Sequence, residues 1–464
     1  MKLTLIGGGG VRSPLFVLST LRRAQRLGLV ELCLMDVDAR KLAVFGGLCA
    51  EIVRRAGNPF RLTATTDARA ALTGARHVVT TIRVGAEQGR ALDERIALRH
   101  GVLGQETTGP GGFAMALRSI PAILDYARLL DEVSPGAWMY SFTNPAGLVA
   151  QALRDAGFPR TVGICDGANG AQHAVAGWLK LPVERVRAEV FGLNHLSWGR
   201  RAWVDGEDVL PRLLAAPAFV RTMLGIFEPE LVAQIGMHLN EYLYYYYYAE
   251  RAVAAISADQ KTRGEEIVEL NQRLLAQLDA IGVERDPEAA LGAFFAYEQR
   301  RGATYMHYAR SDAPSMADAD AAAPGSVPMP AEAGEGYAGV ALGIVEALET
   351  GTPLYTALNV PNVSGAQAAI DGLRPSDVVE ISCRVDSGGV TALPIGVVPA
   401  PPLALMQAVK AYERLTVEAA LTRSRRTAVA ALMAHPLVVS YSRARALVDD
   451  YLAAHAPYVG EWRD

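Results

Sequence analysis

The opening stretch of the chain constrains its fold more than any other. An apolar run, Leu3–Ile6, ends in Gly7-Gly8-Gly9-Gly10. The spacing predicts a helix from Pro14 to Leu27 and a second strand over Val30–Met35, which ends at Asp36. Strand, glycine turn, helix, strand and terminal acid form the first βαβ unit of a dinucleotide-binding sheet. Glycines let the backbone approach a pyrophosphate, whose charge suits the N-terminus of the following helix. Asp36 stands where a carboxylate accepts both ribose hydroxyls, which favours NAD over NADP. The third glycine of the usual fingerprint is replaced by Arg12, and a glycine run alone is only a tight turn. The second strand and its acid in register are what make the case.

Further apolar runs at 77–82, 137–142 and 161–164 predict more parallel strands. From Glu189 the pattern changes to mixed strands and long helices, such as 264–281 and 402–421. The predicted fold is therefore α/β: a Rossmann-type doubly wound sheet like that of lactate and malate dehydrogenases, with a C-terminal α+β domain. The expected division is 1–188 for the NAD-binding unit and 189–464 for a catalytic, substrate and oligomerisation unit. Asp312–Ala333, rich in Ala, Pro, Asp and Met, reads as an exposed loop.

A net charge of −4 gives no general attraction to nucleic acid or to an anionic membrane. Charged residues interrupt every run that could span a bilayer. The four cysteines, at 33, 49, 165 and 383, form no close pair, which suits a reducing cytoplasm.

Four clusters carry possible chemistry. The first follows the strand at 77–82 and holds Arg83, Arg90 and, after Gly104-Gln105, Glu106. Ligand contacts gather at such places in open α/β sheets, although a solvated loop reads the same way. The second is Thr143-Asn144-Pro145, where Asn144 can meet a sugar hydroxyl or simply form a turn. The third is Cys165 with His195. A thiolate and an imidazole hold a borderline divalent ion well and leave positions open for substrate oxygens. Two residues so far apart make no motif, and a buried thiol and a satisfied imidazole are the simpler reading. The fourth is Tyr242 with the unbroken run Tyr244–Tyr248. Five successive tyrosines cannot all face a core on one regular element, so some are expected to meet solvent, a partner or a ligand. One could serve as a phenolic base beside a cation.

Together these clusters resemble the family 4 glycoside hydrolases, in particular their 6-phospho-β-glucosidase branch. The resemblance spans nearly the whole chain, through Leu5-Ile6-Gly7-Gly8-Gly9, Arg83-Val84-Gly85, 104–109, 116–121, Thr143-Asn144-Pro145, 192–196, Asn359-Val360-Pro361-Asn362, 409–413 and 435–438. It implies a redox route, an exception to two-carboxylate glycoside hydrolysis. NAD oxidises the sugar at carbon 3, the proton on carbon 2 becomes acidic, the aglycone leaves by elimination, water adds, and the ketone is reduced. By position it implies Cys165 and His195 as ligands of a divalent metal, most often manganese, and Tyr242 as the base. It implies Asn144, Asn194 and Glu106 at the sugar, and Arg90 and Arg300 at its 6-phosphate, a task that suits guanidinium forks. Asp166 becomes the candidate acid for the leaving oxygen, and Gly7, Gly8, Gly9, Gly10, Asp36 and Arg83 the NAD contacts. Homodimers or homotetramers are implied as well.

Three departures stand out: Asp166-Gly167-Ala168 after Cys165, Arg300-Arg301-Gly302-Ala303-Thr304-Tyr305-Met306 near the phosphate region, and Ala86 after Gly85. The rival readings are an NAD-dependent hydroxy-acid dehydrogenase of the lactate/malate type and a catalytically silent NAD-binding sugar sensor.

Overall fold

The computed structural model describes residues 1–259, 261–310 and 335–464. The loop expected at Asp312–Ala333 lies outside them. Among the described residues nine strands form one sheet. Its parallel part contains β1 (Lys2–Ile6), β2 (Glu31–Met35), β3 (Arg61–Thr65), β4 (His77–Thr80), β5 (Trp138–Ser141) and β6 (Thr161–Gly163), in the spatial order β3-β2-β1-β4-β5-β6. This is the doubly wound order, and the strand order reverses beside β1, between β1 and β4. Leu3, Leu5, Leu32, Leu34, Val78, Val79 and Val162 are all buried. Parallel strands covered on both faces need such unbroken apolar runs, and for that reason the runs could be read in the sequence.

The first helix is shorter than expected, Ser13–Leu21, and is followed by turns to Gly28. Apolar spacing persists through those turns, so periodicity alone overstates the helix. Gly9 shows why the loop before it needs glycine: a Cβ there would stand 2.9 Å from Asp36 Oδ2.

Beyond β6 the sheet continues with strands from much later in the chain. After β7 (Val186–Leu193), β8 (Leu196–Val204), β9 (Glu207–Asp208) and β10 (His238–Leu239), which form a separate small sheet, come β11 (Leu354–Pro361), β12 (Val378–Asp386) and β13 (Gly389–Ala392). β11 pairs antiparallel with β6, β12 with β11, and β13 with β12. The C-terminal part thus closes one edge of the sheet that the N-terminal part begins.

Register draws one row across the sheet: Met35, Ile6, Thr80, Ser141, Gly163, Asn359 and Glu380 lie side by side on seven neighbouring strands. In the parallel strands the row lies at or near the carboxyl end. The loops just past it carry Gly7–Gly10, Asp36, Arg83, Asn144 and Cys165, and ligands bind at this edge in open α/β sheets. No helix among the described residues is long and apolar enough to cross a membrane.

Candidate active site

β7 and β8 form a hairpin in which Leu193 pairs with Leu196, so Asn194 and His195 are its two-residue tip. His195 adopts φ +63, a left-handed conformation uncommon outside glycine. Gly192 makes the approach possible. At its φ of +151 a Cβ would stand 2.2 Å from the Leu196 carbonyl oxygen. Local geometry therefore presents two consecutive polar side chains, and both are mostly buried.

The tip meets Tyr242 and Cys165. The Tyr242 ring stacks on the His195 ring, with centroids 3.5 Å apart and planes within 3°. A Cβ placed on Gly167 would lie 3.6 Å from Tyr242 Cε2 and 3.8 Å from Cys165 Sγ. Sulfur, imidazole and phenol thus converge from β6, the small sheet and the 241–243 turn. Burial pushes the His195 imidazole down to about 4, although Glu106 and Asp166 pull the other way. It is neutral at neutral pH, with Nδ1 buried and unpartnered. Burial also pushes the Cys165 thiol well above its usual range, and the Glu380 and Asp166 charges push it further. A thiolate at this depth needs a cation beside it. No three of His, Cys, Asp and Glu converge to hold a metal among the described residues. Two soft protein ligands with the remaining positions left for substrate oxygens or water fit such an ion.

Burial likewise raises the Tyr242 phenol well above its ordinary value, reinforced by Glu241 and the Cys165 sulfur. Its hydroxyl is 2.6 Å from that of Tyr305, which is 3.1 Å from Glu241 Oε1. In the tyrosine run most rings pack and two stay partly open, in line with the expectation that not all five can face a core. Tyr244, Tyr245 and Tyr248 are buried, and Tyr246 and Tyr247 half-buried. The run is broken into a 3-10 turn, a one-turn helix and the start of another, which turn successive rings into different parts of the core.

Glu106 is held by two guanidiniums, Arg83 at 2.7 Å and Arg90 at 3.2 Å, and Arg90 also binds Glu94 at 2.8 Å. Burial works against its charge, but Arg90 and then Arg83 hold Glu106 ionised, well below the usual carboxylate range. A narrow cleft runs past Arg90, Glu106 and Tyr242 to Lys261, Arg263 and Tyr305. Arg300, in the last turn of helix Pro287–Ala303, does not line it. Asp36 accepts from Gly9 N at 2.9 Å and from Asp38 N at 3.0 Å. The Arg12 guanidinium lies over the Phe142 and Tyr337 rings, at 5.6 and 5.9 Å. Asp166 is exposed beside Cys165, and the Asn144 side chain makes no hydrogen bond among the described residues.

Sequence reasoning gave no role to Glu380, Ser197, Asn240, Lys261, Arg263 or Tyr305. Ser197, Asn240 and Tyr305 stand inside or beside segments already singled out, a signal that could have found them, whereas Glu380, Lys261 and Arg263 lie in segments with no pattern of their own.

The pattern of the family 4 glycosyl hydrolases matches residues 2–181, and that of their C-terminal domain residues 190–438. The chain belongs to this family. It is a glycoside hydrolase, and the sequence-based resemblance is correct. It is 31% identical to the "Probable 6-phospho-beta-glucosidase" of Bacillus subtilis, over 100% of this chain and 98% of that one. It is 29% identical to the 6-phospho-β-glucosidase of Escherichia coli, over 100% and 97%. The structure of the Thermotoga maritima 6-phospho-β-glucosidase with manganese, NAD+ and glucose 6-phosphate superposes with a TM-score of 0.81 at 27% identity, covering 99% of each chain.

Proposed function

We propose that this hydrolase cleaves a 6-phosphorylated β-glucoside by the redox–elimination route. The convergence of Cys165, His195 and Tyr242 carries the reading, because a hydroxy-acid dehydrogenase has no use for a thiol–imidazole pair beside a phenol. When bound, NAD supplies reversible hydride acceptance at carbon 3 of the sugar, and a divalent cation, manganese first among them, supplies positive charge for the developing enediolate. Cys165 and His195 hold that cation. Tyr242 removes the carbon-2 proton, and the cation's charge offsets the burial that otherwise keeps the phenol protonated. Asp166, exposed beside Cys165, protonates the leaving oxygen. Asn144, Asn194 and Glu106 orient the sugar hydroxyls. Arg90 faces the 6-phosphate. Arg300, which the resemblance puts at the same phosphate, is the second candidate, and Arg263 on the cleft wall is a third.

Residues 1–188 serve mainly the cofactor and 189–464 mainly substrate and assembly, as a homodimer or homotetramer in the cytoplasm. Gly7–Gly10 cradle the pyrophosphate, Arg83 lies at the nicotinamide side, and Asp36 holds the adenosine ribose. NADP should then bind at least about tenfold more weakly than NAD, since its 2′-phosphate meets the Asp36 carboxylate. Titration of both cofactors checks this, and equal affinities would remove Asp36 from the role.

The functional reading is tested by a panel of α- and β-nitrophenyl glucosides and galactosides, with and without a 6-phosphate, assayed with NAD, manganese and reductant. Cleavage of the phosphorylated β-glucoside above all others is expected. No turnover across the panel would favour a silent sugar-binding protein. Net NADH formation with a hydroxy acid would favour a dehydrogenase.

A further inference from the structure

Glu380 lies at the row where β6, β11 and β12 run side by side, paired with Asn359, which pairs with Gly163. It is fully buried. Its Oε2 accepts from Asn194 Nδ2 at 3.0 Å and from Asn359 Nδ2 at 3.2 Å, and its Oε1 accepts from Ser197 Oγ at 2.8 Å. Ser197 Oγ in turn accepts from Asn240 Nδ2 at 3.1 Å, and Asn240 also donates to the Gly167 carbonyl at 3.1 Å. Asn240 Oδ1 accepts from the backbone N–H of Tyr242 at 3.0 Å. One carboxylate is therefore tied to the hairpin tip, to the segment entering Tyr242 and to the turn after Cys165.

The donor and acceptor pattern has a consequence for Asn194. A side-chain amide has an N–H₂ end and a carbonyl end, which are nearly equal in shape and opposite in polarity. Glu380 Oε2 accepts from the side-chain amides of Asn194 and Asn359 together, so Asn194 turns its N–H₂ toward Glu380. Asn194 Oδ1 is then left buried with no partner. A buried carbonyl oxygen without a donor is costly unless a ligand supplies one.

We propose that Glu380 is a positioning residue that sets the polarity of Asn194, so that the amide oxygen faces the sugar and accepts a hydrogen bond from one of its hydroxyls. The inference rests on the sugar-binding role of Asn194 given above and adds what makes that residue an acceptor. Glu380 touches no substrate atom. It acts by denying Asn194 the alternative orientation, in which an N–H₂ would meet a hydroxyl whose proton then has no acceptor.

Glu380→Gln tests this because it keeps the shape and supplies an N–H₂ that lets Asn194 turn over. With NAD and manganese present, titration with glucose 6-phosphate should show E380Q binding on the order of 10- to 100-fold more weakly than the unaltered protein. NAD affinity and the unfolding temperature should change little. Asn194→Ala should lose a similar factor, and adding E380Q to N194A should cost less than about threefold more, because the two act as one unit. A merely structural carboxylate would give independent, multiplying losses, and that result overturns the proposal. So does undiminished sugar affinity in E380Q.

Should E380Q not fold, a crystal structure of the unaltered protein with NAD, manganese and glucose 6-phosphate decides. Asn194 Oδ1 within about 3.2 Å of a sugar hydroxyl is expected, and a sugar hydroxyl on Nδ2, or none near either atom, overturns the proposal. If the unaltered protein neither binds glucose 6-phosphate nor cleaves any glycoside of the panel, the functional reading fails and takes this inference with it. Binding by the unaltered protein with no loss in E380Q fails the inference alone.

Discussion

Cys165→Ser and His195→Ala should each lower glycoside cleavage by at least about a thousandfold, about 4 kcal/mol of transition-state stabilisation. Both side chains are buried, yet neither is central to the packing. His195 occupies a hairpin tip, and Cys165 packs in a small cluster with Ala168, Val190 and Ala357. The fold and NAD binding should therefore survive, as checked by circular dichroism and cofactor titration. The loss should appear together with loss of manganese, measured by metal analysis after dialysis. Full activity of either variant in thoroughly chelated buffer would reject the site. Because the sulfur must act as a thiolate, oxidants should inactivate the unaltered protein and reductant should protect it.

The second large effect concerns the proton on carbon 2. Elimination requires it to leave, whereas displacement at the anomeric carbon leaves it in place. Turnover in heavy water should put deuterium on carbon 2 of the released sugar, read by nuclear magnetic resonance or mass spectrometry. Tyr242→Phe should cut the rate by about 10²- to 10⁴-fold, the range for loss of a positioned base. Tyr305, whose hydroxyl is 2.6 Å from that of Tyr242, is the nearest group able to take over part of the task. Complete retention of the carbon-2 hydrogen would end the redox–elimination reading, whatever the sequence resemblance.

The parts of this protein that could be read in its sequence are those whose signal is local. Leu3–Ile6 and Leu32–Met35 are buried, so they had to be almost wholly apolar. Gly7 and Gly8 had to be free of Cβ atoms because neighbouring backbone stands 2.9 Å from where one would sit. Helices 263–281 and 400–422 matched expectation to within a few residues because each repeats an apolar stripe over several turns. Cys165, His195, Tyr242, Glu106 and Arg90 stand out in the sequence because they lie in motifs that resemble a known family. By composition and spacing alone Cys165 and His195 read as ordinary buried residues.

Other features arise only when distant segments meet. Strands β11–β13 reveal nothing in isolation of joining an edge set by residues 161–163. Antiparallel pairing across nearly two hundred residues leaves no local periodicity to detect. The roles of Glu380 and Asn240 follow from the atoms they touch, and those atoms come from other elements. The tyrosine run lies between: its composition implies that not every ring can face a core, and the change from helix 244–247 to helix 249–258 decides which ones do. The sequence by itself determined the dinucleotide-binding sheet, because close backbone approach and two-sided burial each demand particular residue types within a short stretch. Only the tertiary structure decided which polar atoms are paired and which are left without a partner, because hydrogen-bond polarity is a property of neighbours brought together by folding.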